Sequence, residues 1–362
     1  MASITISGLT VSADEHRLLS GVDLVVADGA FVVVMGPSGS GKTTLLRTVA
    51  GLQSPSHGEV WIGDQQVVED EAKRRRVAMM FQDNVLFPFA TAGKNVAFPL
   101  EVRGVKGDEV DRRVKAEARV LTIQHLLDRR PETLSAGYQQ LVQAARAMVQ
   151  VPEVFLMDEP VARMDPQLRE VARRELSLLQ KGYGVTTLWA TNDPVEAMAI
   201  ADRIAVLDEG RLSGVGTPSE LYARPPSEVA AQSLGVPPMR IVPGKLSRAA
   251  DGYRITVGRL QLRSKAEGFR KIAPGAVRVG IRPEDVVVKT GGTRATVTGC
   301  EYHGEHQILE IECGEARLAM RVGGDVAASP GDVLEVEIVA GHFFDPVTRV
   351  AVAHETYGGR SG

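Results

Sequence analysis

The chain is short of cysteine, of net charge and of long apolar runs, and each shortage closes off a class of function. Two cysteines, Cys300 and Cys313, are too few for a disulfide framework, so both are expected as free thiols in a reducing cytoplasm. A formal net charge of −3 offers no bulk attraction for a polyanion, and no nucleic-acid partner is expected. No uninterrupted apolar run reaches the roughly 18 residues that a membrane-spanning helix needs. The opening stretch MASITISGLTVSADEHRLL has no basic-then-apolar leader pattern. Any role at a membrane is therefore expected to run through a partner. What remains is the composition of a globular protein: 362 residues, room for two domains, 44% hydrophobic and 24% charged.

Five short apolar runs bounded by turn residues, FVVVMG, VAMMFQ, VFLMDE, TTLWAT and IAVLDEG, read as buried strands. Helix-like stretches such as Lys42–Ala50 and Pro166–Lys181 lie between them. This alternation predicts a largely parallel sheet with helices on its faces, an α/β domain. Between Pro88 and Arg130 the charged, helix-favouring segment GDEVDRRVKAEARVLTIQHLLDRR predicts a helical subdomain at about 88–133. The pattern breaks at SLGVPPMRIVPG, Ser233 to Gly244. Short β-type runs follow (VRVGI, EDVVV, RATVTGC, QILEIEC, VLEVEIV), separated by glycine-containing turns, and predict an all-β second domain. The boundary is placed near residue 235, giving domains 1–235 and 236–362. The basic run Lys73 to Arg76 reads as a solvated turn, Trp189 as a strand-core aromatic, and His303 and His306 as neighbours of a hairpin turn without a third metal ligand.

GPSGSGKT, Gly36 to Thr43, fits the G-x-x-x-x-G-K-[ST] pattern between a strand and a helix start. Glycines there let successive backbone N–H groups face phosphate oxygens, and the helix N-terminus adds partial positive charge. Lys42 is expected on the β- and γ-phosphates and Thr43 on Mg²⁺. The set facing ATP is Gly36, Ser38, Gly39, Ser40, Gly41, Lys42, Thr43 and Thr44. VFLMDEP, Val154 to Pro160, ends an apolar strand in two carboxylates. Asp158 suits the Mg²⁺ shell, and Glu159 suits a general base beside the γ-phosphate.

With these residues in order, the first part resembles the ATP-binding cassette of ABC transporters over roughly residues 3 to 235. Gln82 in FQ matches the glutamine loop, which implies contact with Mg²⁺ and a face toward the membrane partner. LSAGYQQ, from Leu134, stands at the signature, implying that Ser135 and Gly137 meet nucleotide held by a second cassette. Asp165 in MDP matches the loop across that interface. The resemblance gives Mg²⁺ to Thr43, Gln82 and Asp158, and catalysis to Glu159 and to the switch position, Asn192. VGIRPEDVVV and GHFFDPVTRVAV resemble the OB-like regulatory domain of importer ATPases for maltose, other oligosaccharides and glycerol phosphate. The implied protein is a peripheral ATPase on the cytoplasmic face of the membrane. It would energise a carbohydrate importer with permease subunits and, indirectly, an extracytoplasmic solute-binding protein.

Four positions depart from the family pattern. The signature reads Leu134-Ser135-Ala136-Gly137-Tyr138, the switch histidine is Asn192, the interface loop reads Ala162-Arg163-Met164-Asp165, and no aromatic platform for adenine lies near Ala13. Ala136 matters only if its position requires φ > 0. An asparagine amide donates a hydrogen bond but carries no charge. Charge-assisted and neutral hydrogen bonds differ by roughly 1–2 kcal/mol, about 5–30-fold in rate, so slow hydrolysis is expected. Two defects per site favour a heterodimer with a fully equipped cassette. The alternative is a non-hydrolytic regulatory cassette that clamps an active partner. A soluble cassette acting on ribosomes or DNA is disfavoured by the importer-like tail.

Overall fold

Ile4, Ile6, Leu9 and Val11 point inward along the first strand and begin a sheet that the five apolar runs did not announce. The structure is a computed structural model and describes residues 2–13, 16–83 and 85–357. Its contacts divide the chain into two compact units, Met1–Pro218 and Ser219–Gly362.

The first unit runs β1 (Ile4–Ala13), β2 (His16–Val26), β3 (Phe31–Met35), α1 (Lys42–Ala50), β4 (His57–Ile62), β5 (Gln65–Gln66) and β6 (Val77–Met80). It continues α2 (Ala92–Val102), α3 (Gly107–Val120), α4 (Ala136–Met148), β7 (Val154–Asp158), α5 (Pro166–Tyr183), β8 (Thr186–Thr191), α6 (Pro194–Ile200), β9 (Arg203–Asp208) and β10 (Arg211–Gly216). The five apolar runs supply β6, β7, β8, β3 and β9, which pair in parallel; β10 closes the edge antiparallel, in the order β10-β9-β3-β8-β7-β6. β3, β7 and β8 are buried on both faces, as a parallel sheet covered by helices requires. A second sheet, β2-β1-β4-β5, is antiparallel and half-buried, and its inward side chains join α1 in one core. Trp189 is fully buried in β8.

One residue of the basic run departs from the solvated-turn expectation. Lys73, Arg74 and Arg76 are exposed, but Arg75 is buried. Its guanidinium donates to the carbonyls of Thr48 (2.8 Å) and Val49 (3.1 Å) at the end of α1, and to those of Val68 and Asp70. Helix ends leave carbonyls unpaired, and the five donors of arginine suit several of them at once.

In the second unit the short helices α7 (Pro218–Ala223) and α8 (Glu228–Ser233) precede β11 (Arg240–Ala249), β12 (Gly252–Val257), β13 (Leu260–Ser264), β14 (Gly275–Ile281) and β15 (Val286–Tyr302). β16 (His306–Cys313), β17 (Ala316–Gly323), β18 (Val333–Ile338), β19 (Ala340–Phe344) and β20 (Ala351–Thr356) complete it. Two sheets, β13-β12-β11-β14-β19-β20 and β17-β16-β15-β18, enclose a core of Val, Ile, Leu and Phe. The change of texture near residue 235 left α7 and α8 with the first domain, yet their side chains serve the β unit. Glu228 pairs with Arg278, Tyr222 donates to Glu284, and the Arg282 guanidinium lies 3.6 Å from the Tyr222 ring centre. Cys300 is exposed and Cys313 buried, both free. His303 and His306 stack at the β15–β16 turn.

Candidate nucleotide-binding site

The site is built where β3, β7 and β8 end beside the start of α1. After β3 the chain turns through Pro37, Ser38 and Gly39, which are exposed, above a buried floor of Gly36, Ser40 and Lys42. Gly36 has φ of +150°, and a Cβ there would stand 1.9 Å from the Leu207 carbonyl oxygen. Only glycine fits so close an approach to β9. Gly41, in the left-handed region, begins α1.

Lys42 folds back over the loop, and its Nζ donates to the carbonyls of Gly36 and Pro37, each at 2.9 Å. Burial pulls its pKa down, against the opposing pull of Glu159 and Asp158. Thr43 Oγ1 donates to Asp158 Oδ1 at 3.0 Å, bringing a helix-start hydroxyl to a strand-end carboxylate. Burial raises the pKa of Asp158, while the Thr43 bond, Arg47 and Lys42 oppose the rise. Ser40 Oγ is buried without a hydrogen-bond partner in the described structure. An unpaired buried hydroxyl, a backbone cradle at a helix start and two converging oxygens fit a nucleotide phosphate with a hard cation.

Glu159 follows Asp158 in the left-handed region, at φ of +46°. A non-glycine residue there costs about 1–3 kcal/mol and is retained where the surroundings impose it. Here the Glu159 N–H donates to the Ala190 carbonyl at 2.9 Å, tying the turn to β8. Both carboxylate oxygens accept from side-chain amides, Oε2 from Gln82 Nε2 at 2.6 Å and Oε1 from Asn192 Nδ2 at 2.8 Å. Gln82, Glu159 and Asn192, separated by dozens of residues in sequence, therefore meet in one cluster beside Lys42, Thr43 and Asp158. Thr44 lies in the first turn of α1 and accepts from the Thr48 hydroxyl through its carbonyl.

Ser135 and Gly137 stand elsewhere, at the start of α4. Ser135 is the N-cap, its Oγ accepting from the Tyr138 N–H at 3.4 Å. Ala136 is the first helical residue, is exposed and is not among the positive-φ positions. Its methyl group therefore meets no backbone objection. Gly137 is closely packed: a Cβ there would stand 2.0 Å from Leu168 Cδ2 of α5, whose side chain would have to move. Asp165 caps α5 by accepting from the Leu168 N–H at 3.0 Å. Ala13 is the cross-strand partner of His16, and the two residues between them lie outside those described.

Several contacts around the site carry no motif. Asp83, next to Gln82, pairs with Arg163 at 2.6 Å. Asn95, fully buried, accepts from the Phe87 N–H at 2.7 Å and donates to the carbonyls of Phe87, Ala90 and Thr91. Gln143 accepts from the Val85 N–H and donates to the Phe81 carbonyl, and Arg146 donates to the Val85 carbonyl. Polar residues on the inner faces of α2 and α4 were the only available signal for this pinning of residues 85–91.

A strand–cradle–helix unit and a second strand ending in Asp-Glu define a P-loop nucleotide-hydrolysing domain; the helical insertion and the β unit narrow the class. The ABC transporter family matches residues 19–162, and the TOBE domain matches residues 279–344. The sn-glycerol-3-phosphate import ATP-binding protein UgpC of Burkholderia thailandensis is 38% identical over 355 residues, covering 96% of this chain and 99% of that protein. Its namesake in Escherichia coli is 36% identical over 354 residues, covering 96% and 99%. Among solved structures, the dimeric post-hydrolysis state of the ATP-binding cassette MJ0796 bound to ADP and Pi is 30% identical, with a TM-score of 0.54. It covers 59% of this chain and 98% of that one. The protein cbiO1 from Clostridium perfringens, part of the ABC transporter complex cbiONQ, is 28% identical with a TM-score of 0.56, covering 61% and 90%. The chain belongs to the ABC transporter family, as an import-type ATP-binding subunit with a TOBE domain.

Proposed function

We propose that the chain binds ATP with Mg²⁺ at this site and hydrolyses it to drive import of a carbohydrate-class solute, glycerol phosphate being the solute named for its full-length relatives. The observation that carries the reading is the joining of Thr43 to Asp158 and of Gln82 and Asn192 to Glu159 in one cluster. Gly36, Ser38, Gly39, Ser40, Gly41, Lys42, Thr43 and Thr44 surround the phosphates, with Lys42 moving its ammonium from loop carbonyls to phosphate oxygens. Thr43, Gln82 and Asp158 would hold Mg²⁺, which when bound neutralises phosphate charge. Glu159 takes the proton of the attacking water, and Asn192 orients its carboxylate without adding charge.

Two partners follow. Ser135 and Gly137, at the start of α4, would serve nucleotide held by a second cassette. The preference for an unlike cassette rested on two defects per site, and the outward methyl of Ala136 weakens one of them. Pairing of two copies of this chain is therefore the reading we adopt, in keeping with the dimeric MJ0796 cassette. The second partner is an integral membrane subunit. Val85, Phe87, Phe98 and Val102 line a groove of about 740 Å³ rimmed by Lys73, Arg76 and Arg103. Phe89, 78% exposed, stands on the segment pinned by Asn95. The groove fits a short apolar helix with acidic ends from a permease loop, which would hold the chain at the cytoplasmic face; among the described residues no helix is long and apolar enough to cross a membrane.

The test is to purify the chain with its co-purifying membrane subunits and measure ATP turnover with and without solute-loaded binding protein. Solute-stimulated turnover that disappears in Lys42→Ala is expected. Wild-type turnover indifferent to every carbohydrate and glycerol phosphate tried, or co-purification with no integral membrane protein, overturns the importer reading.

A further inference from the structure

The cradle follows β3, and its two flanks differ. β8 and β7 lie on one side of β3 and bring Asp158 and Glu159 to Thr43 and Lys42. β9 lies on the other side, and there the β1–β2 hairpin closes against the helix start. The Ser20 N–H donates to the Gly210 carbonyl at 2.8 Å, and the Gly210 N–H donates to the Ser40 carbonyl at 3.0 Å. A Cβ on Gly41 would stand 2.8 Å from both the Leu18 carbonyl oxygen and Leu19 Cδ2. A nucleotide whose γ-phosphate meets Glu159 therefore sends its ribose and base toward the hairpin.

The inner face of the hairpin is set by β1. Leu9 and Val11 are buried in the core shared with α1. Successive strand residues alternate between faces, so Ala13 continues the Val11 face and Ser12 takes the opposite one. His16 is the direct cross-strand partner of Ala13, and Arg17 is that of Ser12. Directly opposed residues share a face, with Cβ atoms roughly 4.5–5.5 Å apart. His16 thus carries the inner face past the edge of the core, roughly 7 Å of strand beyond Leu18. It is exposed there, beside the methyl group of Ala13. An imidazole is a flat π surface, and histidine is one of the side chains on which unpaired bases stack.

We propose that His16 is the platform on which the nucleotide base stacks, in place of an aromatic residue at Ala13. Arg17, on the other face of the hairpin, takes no part. The proposal rests on the cradle being the ATP site.

The experiment uses the full chain with Mg²⁺ and isothermal titration calorimetry. Two probes are compared: ADP, which is not turned over, and inorganic pyrophosphate, which carries the phosphates without sugar or base. Wild type, His16→Ala, His16→Phe and Arg17→Ala are each titrated, and Tm is measured for each. His16→Ala is expected to weaken ADP binding about five- to ten-fold, the lower end of what an aromatic ring contributes under a base, with pyrophosphate affinity and Tm unchanged. His16→Phe keeps a flat ring and is expected to bind ADP at least as tightly as wild type. Arg17→Ala is expected to match wild type with both probes. Unchanged ADP affinity in His16→Ala, an equal loss in Arg17→Ala, or failure of His16→Phe to hold the affinity overturns the assignment. A fall in Tm and in pyrophosphate affinity alongside that for ADP gives His16 a merely structural role and also overturns it. A wild-type chain that binds neither probe overturns the ATP reading together with this one, whereas normal wild-type binding with an indifferent His16→Ala sinks the platform alone.

Discussion

Asn192 is where residue chemistry sets the expected pace of the reaction. Its amide orients Glu159 at 2.8 Å but brings no charge toward the phosphate. Asn192→His restores a group that can be charged, and turnover of the assembled complex is expected to rise about 5–30-fold. The gain has a sign in pH. Imidazolium forms below its ordinary pKa of about 6.5, so the advantage of the variant grows as pH falls through that range, while asparagine does not titrate there. Steady-state turnover from pH 5.5 to 8 checks this; a gain that shrinks on acidification contradicts the charge argument. Lys42, Asp158 and Glu159 were legible from their motifs alone because strand-end and helix-start positions dictate where such residues point. The contact of Asn192 with Glu159 was not, because it depends on β7 and β8 lying side by side.

Arg75 and Glu117 belong to the scale of elements. Arg75 finishes α1 by donating to the Thr48 and Val49 carbonyls at its end, and to those of Val68 and Asp70 in the loop after β5. Arg75→Ala leaves those groups short of a donor and is expected to destabilise the chain by about 2–4 kcal/mol, read from urea unfolding. Arg74→Ala, on an exposed neighbour, is expected to stay within about 0.5 kcal/mol of wild type. Sequence could not separate the two arginines, since four consecutive basic residues look equally solvated until one is rotated under a helix end. Glu117, on α3, is buried, with Oε1 accepting from the Tyr183 hydroxyl at the end of α5 and Oε2 unpartnered in the described structure. Burial raises its pKa, opposed by the Tyr183 bond. The folded state therefore holds the proton more tightly than the unfolded state. Stability from this group is fully present below the unfolded glutamate pKa of about 4.3 and is lost as pH rises through the folded value. Glu117→Gln stays neutral and escapes that loss. Its stability relative to wild type should climb with pH above that point, at up to about 1.4 kcal/mol per pH unit, then level off. Urea unfolding at several pH values measures the difference; one independent of pH removes the buried-charge account.

At the scale of the whole molecule, the two units have separate cores. One is built on the apolar strands and α1, the other on the inner faces of the two β sheets. Residues 219–362 are accordingly expected to fold alone as a β protein with a cooperative unfolding transition. A fragment beginning at Arg240 loses the Glu228–Arg278 pair and the Tyr222 ring beneath Arg282, and is expected to unfold at a Tm lower by several degrees. Circular dichroism melts of the two fragments check this. Equal Tm values would place the functional boundary after α8, near residue 235.

The order of motifs, the parallel strands, the helical insertion and the β-rich second part follow from the sequence alone, because apolar periodicity and glycine placement act over a few residues. The requirement for glycine at Gly36 was also legible in its motif. Tertiary structure alone decided that a Cβ at Gly137 would meet the Leu168 side chain, and that Arg75 lies under a helix end. It also decided that Gln82 and Asn192 close on Glu159. Those facts depend on contacts between segments far apart in the chain, and local pattern carries no record of which distant side chain arrives at a given atom.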